Sequence, residues 1–149
     1  VLLSPYGHDD FSIITPMLNK IRKGSQVIQA VSELSKADRS RRQSLFNTYR
    51  LVYRFLAQIL IGVKIRSATN SFKMFDRVFV QALGITQNGY SICPEITFKV
   101  LLAGGTLEYL TSNAEVAPID VNFKLWKQGI NYFRLLIRGF LHRIGILWF

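Results

Sequence analysis

The 149-residue chain contains one cysteine, two histidines, four prolines and only nine acidic residues. Each scarcity closes off a class of chemistry. Cys93 has no second thiol to pair with, so an internal disulfide is excluded. A single thiol beside Pro94 reads as a small core residue in a reducing compartment rather than as a nucleophile. His8 and His142 stand apart from each other and from the cysteine, so zinc-ligand spacing is absent. The chain also lacks a P-loop, a G-x-S-x-G elbow, a dinucleotide fingerprint, internal repeats and low-complexity tracts. Long apolar runs are missing too: Leu56 to Val63 is short, and Leu135 to Phe149 is broken by Arg138, His142 and Arg143. Neither reaches the roughly 20 apolar residues of a spanning helix. No charged leader precedes Val1-Leu2-Leu3, which reads as a chain entered in the middle rather than a signal peptide.

What is present is apolar and basic. Hydrophobic residues make up 49% of the chain and aromatics 13%, enough for one domain with a real core. Nineteen lysines and arginines against nine acids give a net charge of +10, which favours phosphate-bearing partners: lipid head groups, nucleotides or nucleic acid.

Apolar periodicity and turn residues predict the elements. Val1 to Leu3 end a buried strand at the turn Ser4-Pro5-Tyr6-Gly7, and Thr15-Pro16 caps and starts a helix with Leu18 and Ile21 inward. Gly24 closes that helix, and Gln26 to Val31 forms a strand. Asp38 caps a long helix through Ile61, with Leu45, Tyr49, Val52, Leu56 and Leu60 on its apolar face and Arg39, Arg41, Arg42, Arg50 and Arg54 elsewhere. Arginines in a first turn oppose the helix dipole. They mark either an anion contact, from phosphate or acidic lipid, or a solvated face. Asn70 to Phe75 is a polar loop entering a short strand, with Asp76 as the next N-cap. Pro94 and Glu95 open another helix, with Ile96, Val100 and Leu101 inward and Gly104-Gly105 at its end. Thr106 to Thr111 reads as a strand, and Ser112 to Val121 as a loop. From Phe123 onward Trp126, Ile130, Phe133, Ile137, Phe140, Ile144 and Trp148 recur at helical steps. Lys124, Lys127, Arg134 and Arg138 fall on another face, and no acid follows Asp120. Such a basic amphipathic helix suits a membrane interface through Trp126, Arg134, Arg138, Phe140 and Trp148, or else packs on its own domain. Gly139 and Gly145 weaken the helix and predict a bend or a turn between two pieces.

The motifs A-T-N-S-F-K-M-F (Ala68–Phe75), F-K-V-L-L-A-G-G (Phe98–Gly105) and N-F-K-L-W (Asn122–Trp126), in this order, resemble the second half of family 2 glycosyltransferases of the polyprenyl-phosphate, dolichol-phosphate mannose synthase-like type. The resemblance implies an α/β fold, part of a GT-A-like domain, with a mixed sheet, flanking helices and a C-terminal amphipathic helix. Residues 1–121 would form the transferase-like domain and 122–149 a basic, membrane-interfacial helical segment. It also implies inverting sugar transfer from a UDP- or GDP-linked nucleotide sugar to a lipid-phosphate acceptor, Mg²⁺ or Mn²⁺ as cofactor, and a peripheral location at the cytoplasmic face of an anionic membrane. Arg41, Arg42, Asn70, Ser71 and Lys73 fall on the substrate side of this scheme. Glu95 is the one acid at a family-like position, as a sugar- or acceptor-contacting carboxylate or as a first-turn charge of its own helix. Asp9 and Asp10 are either metal ligands in a shifted register or caps of the helix that follows.

The departures fall on the chemistry. Ser4 and Tyr6 stand where the family carries its D-x-D carboxylates, Ser32 replaces an arginine, Ser67 an aspartate, and Val116 the arginine of the later loop. Two readings follow: an active transferase, and a catalytically degenerate relative acting as a membrane-associated binding or regulatory protein. A nucleic-acid-binding module shares the charge but has no reader motif, and is disfavoured.

Overall fold

The computed structural model describes residues 1–3, 9–32, 41–62, 64–113 and 125–149. A three-stranded mixed sheet carries the order β2-β1-β3, with β1 (Val27–Ser32) in the centre. β2 (Lys73–Phe75) pairs antiparallel to β1 with Val27 opposite Phe75, and β3 (Leu107–Ser112) pairs parallel to it with Val27 opposite Leu107 and Ser32 opposite Ser112. Leu2 adds an isolated antiparallel bridge to Lys73 on the far side of β2. The chain is thus an α/β fold with a small mixed sheet and flanking helices.

The two faces of the sheet follow strand alternation. Ile28, Ala30, Phe72 and Met74 point to one face, where Ile13 and Met17 cover them. Met17 belongs to α1 (Ile14–Arg22), and Ile13 to the 3-10 turn Phe11–Ile13 that leads into it. The expected Thr15-Pro16 start is displaced: Asp10 caps that turn instead, accepting from the Ser12 amide at 3.0 Å. Leu18, expected inward, is exposed, and Met17 takes the buried place.

On the other face Val27 packs with Val80, Ile96 and Val100. Val80 comes from α3 (Arg77–Ala82), whose cap is the expected Asp76, accepting from the Phe79 amide at 2.9 Å. Ile96 and Val100 come from α4 (Ile92–Leu102), which begins two residues before the expected Pro94. Every residue of α4 from Cys93 to Val100 is buried, because its second side is covered as well. There Phe98 meets Tyr53, Ala57 and Ile61 of α2 (Arg41–Ile61) and Tyr132, Leu135 and Leu136 of α5 (Leu125–Arg143). The order of layers is α1, sheet, α4, then the α2/α5 pair. Such a middle layer buries its helix on every side, and the polar members Glu95, Thr97 and Lys99 each find a partner inside the domain. The boundary expected at 121/122 falls outside the described residues, and α5 beyond it shares one core with α2 and α4.

α2 and α5 run parallel. Gly139 lies against Ile61, where a Cβ would come within 2.9 Å of Ile61 Cδ1, and α5 is continuous through it; the expected turn falls at Gly145, with φ +78°, after the helix ends at Arg143. Gly139 serves close approach. At the far end the Arg143 guanidinium lies over Gly62, which has φ +79°, and donates to the carbonyls of Ile59 at 3.0 Å and Leu60 at 3.3 Å. One side chain thereby satisfies the open end of α2 and fixes the neighbouring helix to it.

Candidate functional site

β1 and the parallel β3 end at one edge of the sheet, and residues 1–3, joined to β2 by the Leu2–Lys73 bridge, run in the same direction. The loop 66–71 lies against this edge. Asn70 ties it down, its Nδ2 donating to Ala30 O of β1 at 2.6 Å and its Oδ1 accepting from the Phe72 amide at 3.2 Å. The Arg66 amide donates to the Tyr109 hydroxyl of β3 at 2.9 Å. Asp10 reaches the same edge from the other side, its Oδ2 accepting from the Asn113 amide just beyond β3 at 3.2 Å. Carboxyl ends of parallel strands are where open α/β sheets leave a crevice for ligands, since the loops there diverge.

Behind this edge two buried oxygens have no partner in the protein: Gln29 Oε1 and Ser67 Oγ. Gln29 is fully buried in the centre of β1 and holds the loop by donating its Nε2 to Ser67 O at 3.0 Å. Buried polar atoms are nearly always satisfied, so an unpaired acceptor and an unpaired hydroxyl on linked residues are each suited to a water or a ligand hydroxyl. The sequence offered a signal for Gln29, a lone amide inside an apolar strand, that the motif reading passed over. Tyr109 and Asn113 carried none.

The residues expected on the substrate side do not all meet here. Asn70 and half-buried Ser71 lie on the loop at the edge. Lys73 is one step back inside the sheet, wholly buried, with Nζ donating to Ala68 O at 3.1 Å, to Cys93 O at 2.8 Å and to the Thr97 hydroxyl. Burial pushes its ammonium down to about 8, against a weaker opposing effect of Cys93. Arg41 and Arg42 open α2, and their side chains lie outside the described part. Ser4, Tyr6 and Val116 are likewise outside it, as is the Ser32 side chain.

Glu95 sits away from the edge. Its carboxylate is fully buried and accepts from the Thr86 amide at 3.0 Å, the Thr86 hydroxyl at 2.8 Å and the Gln87 amide at 2.7 Å. Lys99, one helical turn on, stands 3.2 Å away and also donates to Gly84 O at 2.6 Å. Burial alone would raise the Glu95 carboxyl; the bonds from Gln87, Thr86 and Lys99 outweigh it and hold the pKa below the ordinary value. The group is built to stay ionised and to clamp the 84–87 turn onto α4.

Of the expected metal ligands, Asp10 is bonded to Ser12 and Asn113, the Ser12 bonds leading in holding its pKa low, and Asp9 has a partner of its own. Among the described residues no three His, Cys, Asp or Glu side chains come together as a metal-binding group. Every other described acid is also engaged: Asp76 caps α3, and Glu108 bonds Lys20 and Ser25.

The expected interface residues are on α5 and its tail. Arg134 and Phe140 are exposed, Arg138 lies over the Phe149 ring at 5.2 Å, and Trp148 is 90% exposed with its edge toward His142. The Trp126 side chain lies outside the described part. Among the described residues no helix is long and apolar enough to cross a membrane. The chain matches no protein-family model, no curated protein and no solved structure.

Proposed function

We propose that the chain is part of a GT-A-like glycosyltransferase domain working peripherally at an anionic membrane surface. It transfers a sugar from a UDP- or GDP-linked donor to a polyprenyl phosphate. The observation that carries the reading is that β1 and the parallel β3 end on the same side of the sheet, where Asn70 ties the Ala68–Ser71 loop to Ala30. These are the segments on which the motif resemblance puts donor and acceptor contacts. In the proposed reaction an acceptor phosphate oxygen attacks the anomeric carbon while the nucleoside diphosphate departs, inverting the centre in one displacement. A phosphate acceptor is already anionic and needs no carboxylate to deprotonate it. That requirement fits a chain whose described acids all serve its own fold. Mg²⁺ or Mn²⁺, if used, would neutralise the departing diphosphate; the described residues supply no cluster to hold it.

The same commitment of Asp10, Glu95 and Glu108 to internal partners favours a second reading, a catalytically degenerate relative that binds membrane without turning over. One experiment separates the two. The protein is incubated with UDP- and GDP-sugars, Mn²⁺ and vesicles carrying a polyprenyl phosphate, and donor binding and lipid-linked sugar are both measured. The transferase reading predicts saturable donor binding and product. Vesicle binding with no donor bound under any condition supports the degenerate relative.

A further inference from the structure

We infer that the backbone amides of Ala68 and Thr69 form an oxyanion-binding pair for a substrate phosphate, turned outward by Gln29 and Lys73 acting as positioning residues. The inference rests on the function proposed above and deepens its site. It starts from the carbonyls of the segment that joins α2 to β2. Four in succession accept from side chains: Ile65 O from Gln58 Nε2 at 3.1 Å, Arg66 O from Arg54 at 3.4 Å, Ser67 O from Gln29 Nε2 at 3.0 Å and Ala68 O from Lys73 Nζ at 3.1 Å. Gln58 and Arg54 belong to α2. Gln29 and Lys73 are register partners on β1 and β2, and both are fully buried.

In a trans peptide the N–H of one residue points opposite to the carbonyl of the residue before it, and the described residues contain no cis bond. The amides of Arg66, Ser67, Ala68 and Thr69 therefore point away from those four donors. The Arg66 amide meets the Tyr109 hydroxyl at 2.9 Å, and the Ser67 amide donates to the same oxygen. The amides of Ala68 and Thr69 meet no acceptor among the described residues. Ala68 is buried and Thr69 half-buried. Buried amides are nearly always paired, so two neighbouring free ones suit a ligand that only accepts.

Charge narrows the class of ligand. No acid occurs between Asp38 and Asp76, and exposed Arg66 lies over the Tyr109 ring at 5.6 Å beside the same segment. Asp10, across the edge, is held by Ser12 and Asn113. A phosphate oxygen is the acceptor that fits, whether from the diphosphate of a donor or from a lipid monophosphate. Gln29 shows that the outward turn is built into the sheet. Its amide nitrogen grips Ser67 O while its own Oε1 stays unpaired in the interior, where an apolar residue of the same shape would be the more stable choice.

The test uses the isotope-labelled full chain at about 0.1 M salt, where distant charges are screened, without metal. Inorganic pyrophosphate and a soluble short-chain isoprenyl monophosphate are titrated separately. The expected result is saturable downfield shifts of the Ala68 and Thr69 amide protons, the mark of hydrogen bonds to an anion. Tighter binding of pyrophosphate gives the pair to the donor, and tighter binding of the monophosphate gives it to the acceptor. Thr69→Pro removes one donor and should weaken binding at least about ten-fold, whereas Thr69→Ala keeps the amide and should bind as wild type. Gln29→Leu should lose the Ala68 shift and keep that of Thr69, which Lys73 orients. A residue that merely stabilised the fold would affect both amides or neither, and either pattern overturns its positioning role. The inference is overturned if neither amide moves in wild type, or if Thr69→Pro, folded by circular dichroism, binds both anions as tightly as wild type. Should Thr69→Pro fail to fold, the Gln29→Leu pattern decides. Lipid-linked product formed in the assay above while both amides stay silent sinks only this inference. Shifts at the pair with no donor bound under any condition sink only the transferase reading.

Discussion

Lys73 carries the least expected chemistry of any single residue: an ammonium with no solvent exposure and no carboxylate partner, held by two carbonyls and a hydroxyl. It joins the loop at Ala68 to α4 at Cys93 and Thr97, so it fixes the Asn70 loop from below. Burial depresses its pKa from 10.5 to about 8. The sign of the consequence follows from proton counting. Between about 8 and its ordinary value the unfolded chain holds the lysine proton and the folded chain does not, so stability rises with pH across that window. Urea unfolding from about pH 7 to about pH 9.5 should therefore record a rise in wild type that Lys73→Met lacks. Parallel pH profiles for the two proteins would contradict the assignment. In the sequence Lys73 belongs to a motif that the resemblance puts on the substrate side, and nothing in the letters distinguishes a lysine that meets a ligand from one that meets carbonyls. The same holds for Glu95: its position in a first turn was legible, but its clamp on Thr86 and Gln87 depends on a turn that only the tertiary fold brings near.

Helices and strands were read better than their faces. β1, β2, β3, the Asp76 cap and the long helix ending at Ile61 all lie within a few residues of where alternation, capping and glycine put them. The inward face of α2 was misread at one place. Val52 is exposed and Tyr53 buried, because this helix is apolar around most of its girth and periodicity cannot choose between two apolar sides. α5 has the same ambiguity. Its Ile130-Phe133-Ile137 stripe looks outward, while Tyr132, Leu135 and Leu136 make the core. Gly139, read in the sequence as weakening the helix, is the contact point of two helices, and the turn read with it falls at Gly145. Gly139→Ala should place a methyl against Ile61 and cost about 1–3 kcal/mol by overpacking, more than the helix gains from alanine. Thermal unfolding that finds the variant as stable as wild type, or more so, would mean that the α2/α5 pair yields where the close contact says it is tight.

At the scale of the whole molecule the layers divide the work. α4 is a buried middle layer, α2 and α5 face outward with an acid-free apolar surface, and the sheet edge on which β1 and β3 end is the proposed ligand crevice. The resemblance named the segments; their meeting at one edge came from parallel pairing of β1 with β3 and from Asn70 bonding Ala30, which no motif encodes. The most direct test of this account is to map a nucleotide sugar onto the chain by amide chemical shifts, titrating UDP- and GDP-sugars with Mn²⁺ into the isotope-labelled protein. The account predicts saturable shifts at Ala30 and Val31, at Thr69 to Ser71, and at Ser112 and Asn113. Saturable shifts confined to other surfaces, or no response to any donor, would contradict it.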